Sequence, residues 1–205
     1  MIRAIGNSHT CFFNGTDEIG GISWWKAPQE STHDWIAGYS IGPCTAWKFK
    51  KKHLPRVRCL LKDIGADKEK DKLVLVFGEI DCRVHIPRVV EATGVGLVEA
   101  TEKCWRAYEA GVNELLDEGW KIVLYTCAPA REITDPAILV CGSVATRNAV
   151  INAWNYFLWS KALNLRPRIE VLHLAPDSLT YIDEIHLSQD CWNLEPDRPA
   201  FAGGV

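Results

Sequence analysis

Ser8, Asp183 and His186 have residue types and a spacing suited to nucleophilic catalysis. A serine hydroxyl becomes an effective nucleophile when a base takes its proton and a third group orients that base. The spacing Asp183-x-x-His186 lets a carboxylate and an imidazole on one turn meet. Ser8 follows the apolar segment Ile2 to Gly6, so we expect it at a strand-to-helix turn, with its backbone N–H available to an oxyanion. Each pattern is short and common by chance, so together they indicate a chemistry but no protein class.

A second polar segment, Gly78 to His85, is expected to be a loop that follows the clearest predicted strand of the chain, Lys72 to Phe77. This strand is apolar on both faces, which is typical of a parallel sheet. We expect Asp81 to be a structural hydrogen-bond acceptor. Glu79 is expected to pair with Arg83 and hold the loop.

The hydrophobic pattern of the remaining chain predicts strands that alternate with helices. The further expected strands are Ile2 to Ile5, Lys121 to Thr126 and Glu170 to Leu174, and the expected helices are Pro43 to Lys52, Leu97 to Glu118 and Ser143 to Asn164. This alternation predicts an α/β fold: one three-layer α/β/α domain over residues 1–205 with a flavodoxin-like, mainly parallel sheet. Residues 14–35 are expected to form a surface excursion, and residues 192–205 a loosely held tail. Ligands gather at the carboxyl ends of parallel strands, where Ser8, Asp183 and His186 would meet.

Composition excludes several classes of function. Lys and Arg total 23 against 26 Asp and Glu, so no strong positive field is present to hold nucleic acid or an acidic membrane surface. The basic stretch Lys48 to Arg58 is expected to be a solvated helix face. No apolar stretch reaches the roughly 18 residues of a membrane span, and the first residues lack the pattern of a signal peptide, so the chain is expected in the cytoplasm.

The eight cysteines lack zinc-site spacing and are expected to be small buried hydrophobic residues.

Four short blocks resemble the motifs of the SGNH/GDSL hydrolases. Gly6-Asn7-Ser8 is similar to the opening G-D-S, and Ile41-Gly42-Pro43 to the block that carries the second glycine. Gly78-Glu79-Ile80-Asp81 is similar to G-x-N-D, and Asp183-x-x-His186 to the closing D-x-x-H. The segment Asn155-x-x-Leu158 also resembles the helix that precedes the closing block. The resemblance covers nearly the whole chain and depends on the order of the blocks.

The resemblance implies a role for each matched residue. Ser8 would be the nucleophile, His186 the general base and Asp183 the partner of that base. The backbone N–H groups of Ser8 and Gly42 would stabilise the oxyanion. The implied reaction passes through an acyl-serine intermediate and needs no metal and no organic cofactor.

Two positions depart from the family pattern. Asn7 replaces the aspartate beside the nucleophile, and Ile80 stands where the family has the asparagine of the oxyanion hole. An isoleucine side chain has no hydrogen to donate, and losing one such donor costs about 10² to 10³ in turnover. Either Arg83 or His85 replaces the missing donor, or the protein is a slow enzyme or a binding descendant.

Simpler interpretations exist for most of these residues. Ser8 can cap the first helix, and His186 can be a solvent-facing loop histidine, with Asp183 capping its turn. Trp24 and Trp25 can plug the core below the excursion or form a substrate wall. His9 is expected to be structural, and Arg83 and His85 can be ordinary polar lining.

The sequence therefore supports two hypotheses. The first is a serine esterase or deacylase acting on a small-molecule ester or, given nine tryptophans, a carbohydrate O-acyl ester, with Glu79, Trp24 and Trp25 as candidate substrate-binding residues. Whether such an enzyme hydrolyses or transfers the acyl group stays open. The alternative is a catalytically weak or inactive carbohydrate-binding protein on the same fold.

Overall fold

A five-stranded, wholly parallel sheet is the centre of the molecule, for which a computed structural model describes residues 1–15, 33–165, 168–172, 184, 186 and 187. The strand order is β2-β1-β3-β4-β5, the order of flavodoxin-like folds. The strands are β1 Ile2–Gly6, β2 Ile36–Ser40, β3 Lys72–Val76, β4 Lys121–Tyr125 and β5 Ile169–Leu172. The predicted α/β class and parallel sheet are confirmed.

Alternate residues of β3 enter two separate hydrophobic clusters, one on each face of the sheet. Leu73 and Leu75 belong to the larger cluster, whereas Val74 and Val76 belong to the smaller one. All four side chains are buried, because parallel sheets are covered on both faces. This explains why the strand reads as an uninterrupted apolar run in the sequence.

Four α-helices and three shorter helical segments of the described residues surround the sheet. The α-helices are α1 Leu54–Asp63, α2 Ile86–Thr93, α3 Leu97–Asp117 and α4 Val144–Leu165. Residues of all four pack into the larger cluster, and α4 buries one stripe of side chains there, Ile151, Trp154, Leu158 and Ala162. On the opposite face the smaller cluster is covered by Phe12 and Phe13 of the 3-10 helix Ser8–Asn14 and by Leu187.

The helix expected from Pro43 to Lys52 begins later than its proline suggested. A π-helical turn covers Phe49–His53, and α1 follows from Leu54 with a proline in its first turn. The preceding segment is not helical, because the buried carboxylate of Asp81 accepts hydrogen bonds from the backbone N–H groups of Ala46 and Trp47. A contact with a residue distant in the chain thus overrides the local signal.

Two further expectations are corrected. The segment Gly78 to His85 is not an extended loop: a π-helical turn, Asp81–His85, runs directly into α2. The edge strand β2 was missed, since Ile36–Ser40 is short and contains Gly38. This glycine is required, because a Cβ there would lie 2.1 Å from the carbonyl oxygen of Thr10.

Several other sequence expectations concern single features. Five cysteines are buried free thiols as expected, namely Cys11, Cys44, Cys82, Cys104 and Cys127, whereas the expectation of burial is wrong for Cys59, which is exposed, and for Cys141, which is half-buried. None of the helices within the described ranges has the length and apolar character needed to cross a bilayer. Trp24, Trp25, Asp183 and residues 192–205 lie outside the described residues.

Candidate active site

Three of the four sequence blocks leave the sheet at one edge because their strands are neighbours. In the register of the sheet, Gly6 at the end of β1 pairs with Ser40 on one side and Val76 on the other. Ser8, Gly42 and Gly78 each follow two residues later. The first, second and third blocks therefore meet at the carboxyl edge of the sheet, where parallel folds bind their ligands.

Two glycines of these blocks are dictated by close packing. A Cβ on Gly6 would lie 2.0 Å from the carbonyl oxygen of Val76. Gly78 has a φ of +104°, and a Cβ there would lie 2.5 Å from the indole ring of Trp154. Both positions need the missing side chain for the strand ends to approach each other and α4.

The turn after β1 directs the Ser8 hydroxyl toward His186. Asn7 caps the 3-10 helix, since its side-chain oxygen accepts from the backbone N–H of His9 at 3.1 Å. The alternative that Ser8 provides this cap is therefore wrong. Instead, Ser8 Oγ lies 2.7 Å from His186 Nε2, which is hydrogen-bond distance.

The imidazole of His186 is buried and packs against a second imidazole. Only 7% of the residue is exposed, so the solvent-facing alternative is wrong. Its ring centroid lies 4.9 Å from that of His9, with the planes tilted by 36°. Sequence reasoning treated His9 as structural. The structure shows that it also forms one wall around the histidine that meets Ser8.

Glu79, at the start of the helical segment after β3, lies between His9 and Arg83. Glu79 Oε2 lies 3.6 Å from His9 Nε2, longer than a hydrogen bond, and Glu79 also pairs with Arg83 through Nε and Nη2. The expected pairing of Glu79 with Arg83 is confirmed. Burial alone would raise the pKa of Glu79, but His9 and the Arg83 guanidinium lower it to about 2, so this carboxylate is ionised near neutrality.

Asp81 is a structural acceptor, as expected from the sequence. Its carboxylate is fully buried and lies 2.6 Å from the backbone nitrogen of Ala46 and 3.4 Å from that of Trp47. Burial raises its pKa to about 7, although these two hydrogen bonds act in the opposite direction. Asp81 therefore ties the segment after β2 to the segment after β3.

The candidate oxyanion donors differ in where they lie. Gly42 has a φ of +91°, and its backbone N–H donates to Ser40 Oγ at an N···O distance of 3.4 Å. Arg83 lines a cavity whose wall includes His9, and it also donates through Nη1 to the carbonyl of Leu139. His85 is exposed and does not line this cavity, and Ile80 is half-buried.

The cavity that His9 lines also contains residues that sequence reasoning missed, namely Tyr125, Arg131, Arg147 and Glu184. Its polar lining consists of His9, Glu79, Arg83, Tyr125, Arg131, Arg147 and Glu184. Arg147, near the N-terminus of α4, is 3% exposed. A positive charge near a helix N-terminus is unfavourable because of the helix dipole. An arginine at this position was therefore the one feature of the sequence that could have drawn attention to Arg147. Among the described residues no cluster of three His, Cys, Asp or Glu side chains is placed to hold a metal ion.

Similarity to known proteins is detectable in structure only. No family model matches the sequence, and no curated protein is detectably similar to it. The structure is similar to that of an assigned acylhydrolase from Bacteroides fragilis, with a TM-score of 0.55 and 15% identity over 94% of this chain and 80% of that one. It is also similar to phospholipase A1 from Streptomyces albidoflavus, with a TM-score of 0.53 and 10% identity over 94% of both chains. At these identities the likeness establishes a shared fold.

Proposed function

We propose that this chain, which has the fold of the SGNH/GDSL-type hydrolases, is a serine esterase that works through an acyl-serine intermediate. The observation that carries the proposal is the 2.7 Å separation of Ser8 Oγ and His186 Nε2 at the carboxyl edge of the sheet. A base at this distance can remove the hydroxyl proton as the oxygen attacks.

In the proposed acylation step, Ser8 Oγ forms a bond to the ester carbonyl carbon while its proton moves to His186 Nε2. The backbone N–H groups of Ser8 and Gly42 donate to the oxyanion that develops. When the intermediate collapses, the bond to the alcohol breaks and His186 returns the proton to the leaving oxygen. Asp183, three residues before His186, orients the ring and stabilises its charged form.

In the deacylation step, water replaces the alcohol. His186 takes a proton from the water, the hydroxide oxygen attacks the acyl carbon, and the proton returns to Ser8 Oγ as the acid leaves. These steps need only side chains and backbone of this chain. An alcohol acceptor in place of water would make the same site an acyltransferase.

The proposed substrates are esters of small molecules or carbohydrates. Trp24 and Trp25 are proposed to stack on a sugar ring, since indole rings provide flat apolar area with a polar edge. Glu79 lines the cavity next to His9 and is proposed to face the bound substrate.

A fluorophosphonate probe tests the mechanism directly, since it bonds covalently to an activated serine. We expect labelling of the native protein at Ser8, located by mass spectrometry of the digested adduct. Ser8→Ala and His186→Gln should abolish labelling. His33→Gln, which precedes the amino end of β2, is the matched histidine control and should label normally. Labelling of a different residue, or equal labelling of Ser8→Ala, would contradict the mechanism.

The second candidate is a carbohydrate-binding protein that has lost efficient catalysis. Ile80 favours it, because the side chain at this position has no hydrogen-bond donor. This candidate predicts no labelling of Ser8 together with measurable binding of oligosaccharides on a glycan array.

A further inference from the structure

Arg147 is a buried cation without an anionic partner in the described part of the chain. The residue is 3% exposed, and its Nη2 donates to the carbonyl oxygen of Arg131 at 3.0 Å. Its Nε makes no hydrogen bond to a residue that the structure describes, and no described carboxylate lies within ion-pair distance of its guanidinium. Burying a charge without a counter-charge is costly, so such groups are normally paired.

The two carboxylates of the same cavity have other partners. Glu79 pairs with Arg83 and lies near His9. Glu184 accepts hydrogen bonds from the backbone N–H of Thr134 at 2.8 Å. Neither of them neutralises Arg147.

We propose that this cavity binds an anionic group, a carboxylate or a phosphate, with Arg147 as its counter-charge. The planar guanidinium offers parallel N–H donors that suit either group. His9 forms part of the cavity wall and also packs against His186, so the His9 side chain connects the bound anion to the Ser8–His186 pair. The inference rests on the proposed function in one respect: the anionic group is then part of the ester substrate or of its product.

Calorimetric titration of the full-length protein with inorganic phosphate and, separately, with succinate tests the site without any need for catalysis. We expect at least one anion to bind, and the preferred one identifies the group as phosphate or carboxylate. Arg147→Met should weaken binding roughly tenfold or more, the usual effect of losing a charge-assisted hydrogen bond. Arg106→Gln, which removes an exposed arginine of α3, is the matched control and should bind like the native protein.

Inhibition of 4-nitrophenyl acetate hydrolysis by the same anions tests whether the anion site is close to the site of ester hydrolysis. Competitive inhibition is expected, with an inhibition constant that rises in Arg147→Met and stays unchanged in Arg106→Gln. Anion binding to a protein that hydrolyses no ester would refute the proposed function and leave the anion site standing. Hydrolysis of the ester without anion binding would refute the anion site and leave the proposed function standing.

Arg147→Lys covers the case in which the methionine variant does not fold. This variant keeps the positive charge and loses the planar fork, so we expect it to fold and to bind the preferred anion more weakly than the native protein. Absence of binding to the native protein, or equal binding by the native, Arg147→Lys and Arg106→Gln proteins, would overturn the proposal.

Discussion

Ser8 Oγ and His186 Nε2 lie at hydrogen-bond distance, 2.7 Å, although 178 positions separate the two residues in the chain. Ser8 follows β1, which lies beside the edge strand β2, and His186 follows β5, the edge strand at the opposite side of the sheet. Leu187, next to His186, packs into the same cluster as Phe12 and Phe13, on the face covered by the helix that starts at Ser8. This apolar contact helps to hold the closing segment over the sheet edge.

Asp183→Asn should lower turnover of short 4-nitrophenyl esters by about 10² to 10⁴ while leaving the melting temperature unchanged. An amide cannot stabilise the protonated imidazole, and it favours the wrong tautomer of His186. Steady-state kinetics and thermal unfolding measure the two quantities. Asp63→Asn, on the exposed side of α1, is the control and should keep full activity. Undiminished turnover in Asp183→Asn would remove this residue from the mechanism.

Arg83→Ala should lower kcat by about 10² with little change in KM if its guanidinium replaces the oxyanion donor missing at Ile80. His85→Ala should have a smaller effect, because His85 is exposed and lies outside the cavity lining. Ile80→Asn in the Arg83→Ala background should restore part of the turnover. Arg88→Ala, an exposed arginine of α2, controls for the loss of charge.

The substitute-donor hypothesis fails if Arg83→Ala keeps full turnover. A fall in the melting temperature that accompanies the fall in kcat would instead indicate that Arg83 acts by holding Glu79. Arg83→Lys separates the two roles further, since lysine keeps a donor but loses the two-point contact with the carboxylate.

Asp81 should make the native protein less stable as the pH rises from about 4 to about 7. The carboxyl has a pKa of about 7 in the folded state against a usual value of 3.8, so within this window the folded protein binds a proton that the unfolded chain has lost. Stability then falls by about 1.4 kcal/mol for each unit of the pKa difference. Urea unfolding at a series of pH values measures the slope.

In the Asp81→Asn variant, the free energy of unfolding should lack this part of its pH dependence, because an amide does not titrate. Asp117→Asn, on an exposed position of α3, is the matched control and should unfold with the native pH dependence. Identical pH profiles for native protein and Asp81→Asn would show that the buried carboxyl titrates normally. Glu79 acts in the opposite sense and at lower pH, since its stabilisation is lost as the pH falls from about 4.5 toward 2.

Gly78→Ala should destabilise the fold by about 2–4 kcal/mol, since the added Cβ meets the indole of Trp154 at 2.5 Å in a backbone conformation of positive φ. Gly94→Ala is the matched control: its φ is +69°, and no atom lies within 4 Å of the added Cβ. It should cost only about 1–2 kcal/mol of backbone strain. Equal losses in denaturant unfolding would mean that strain, and not the contact with Trp154, requires Gly78.

Local sequence pattern predicted the elements whose apolar residues are periodic or continuous. β3, β4, α3 and α4 were found within one or two residues of their expected bounds, because burial on one stripe or on both faces leaves a clear pattern. β2 was missed because an edge strand of five residues with a central glycine has no such pattern. The helical course of Asp81–His85 was missed because its polar residues resemble those of a loop.

Some features of the candidate site were likewise predictable from the sequence, and others depend on the tertiary structure. The sequence by itself determined the residue types and their order, with Ser8 after the first strand and the Asp183-x-x-His186 block after the last, because a short motif depends only on neighbouring residues. Only the tertiary structure decided that Asn7 is the helix cap, that His9 packs against His186, and that Arg147 faces the cavity. These relationships join residues from separate strands and helices, and their distances are set by packing across the sheet, which no local pattern records.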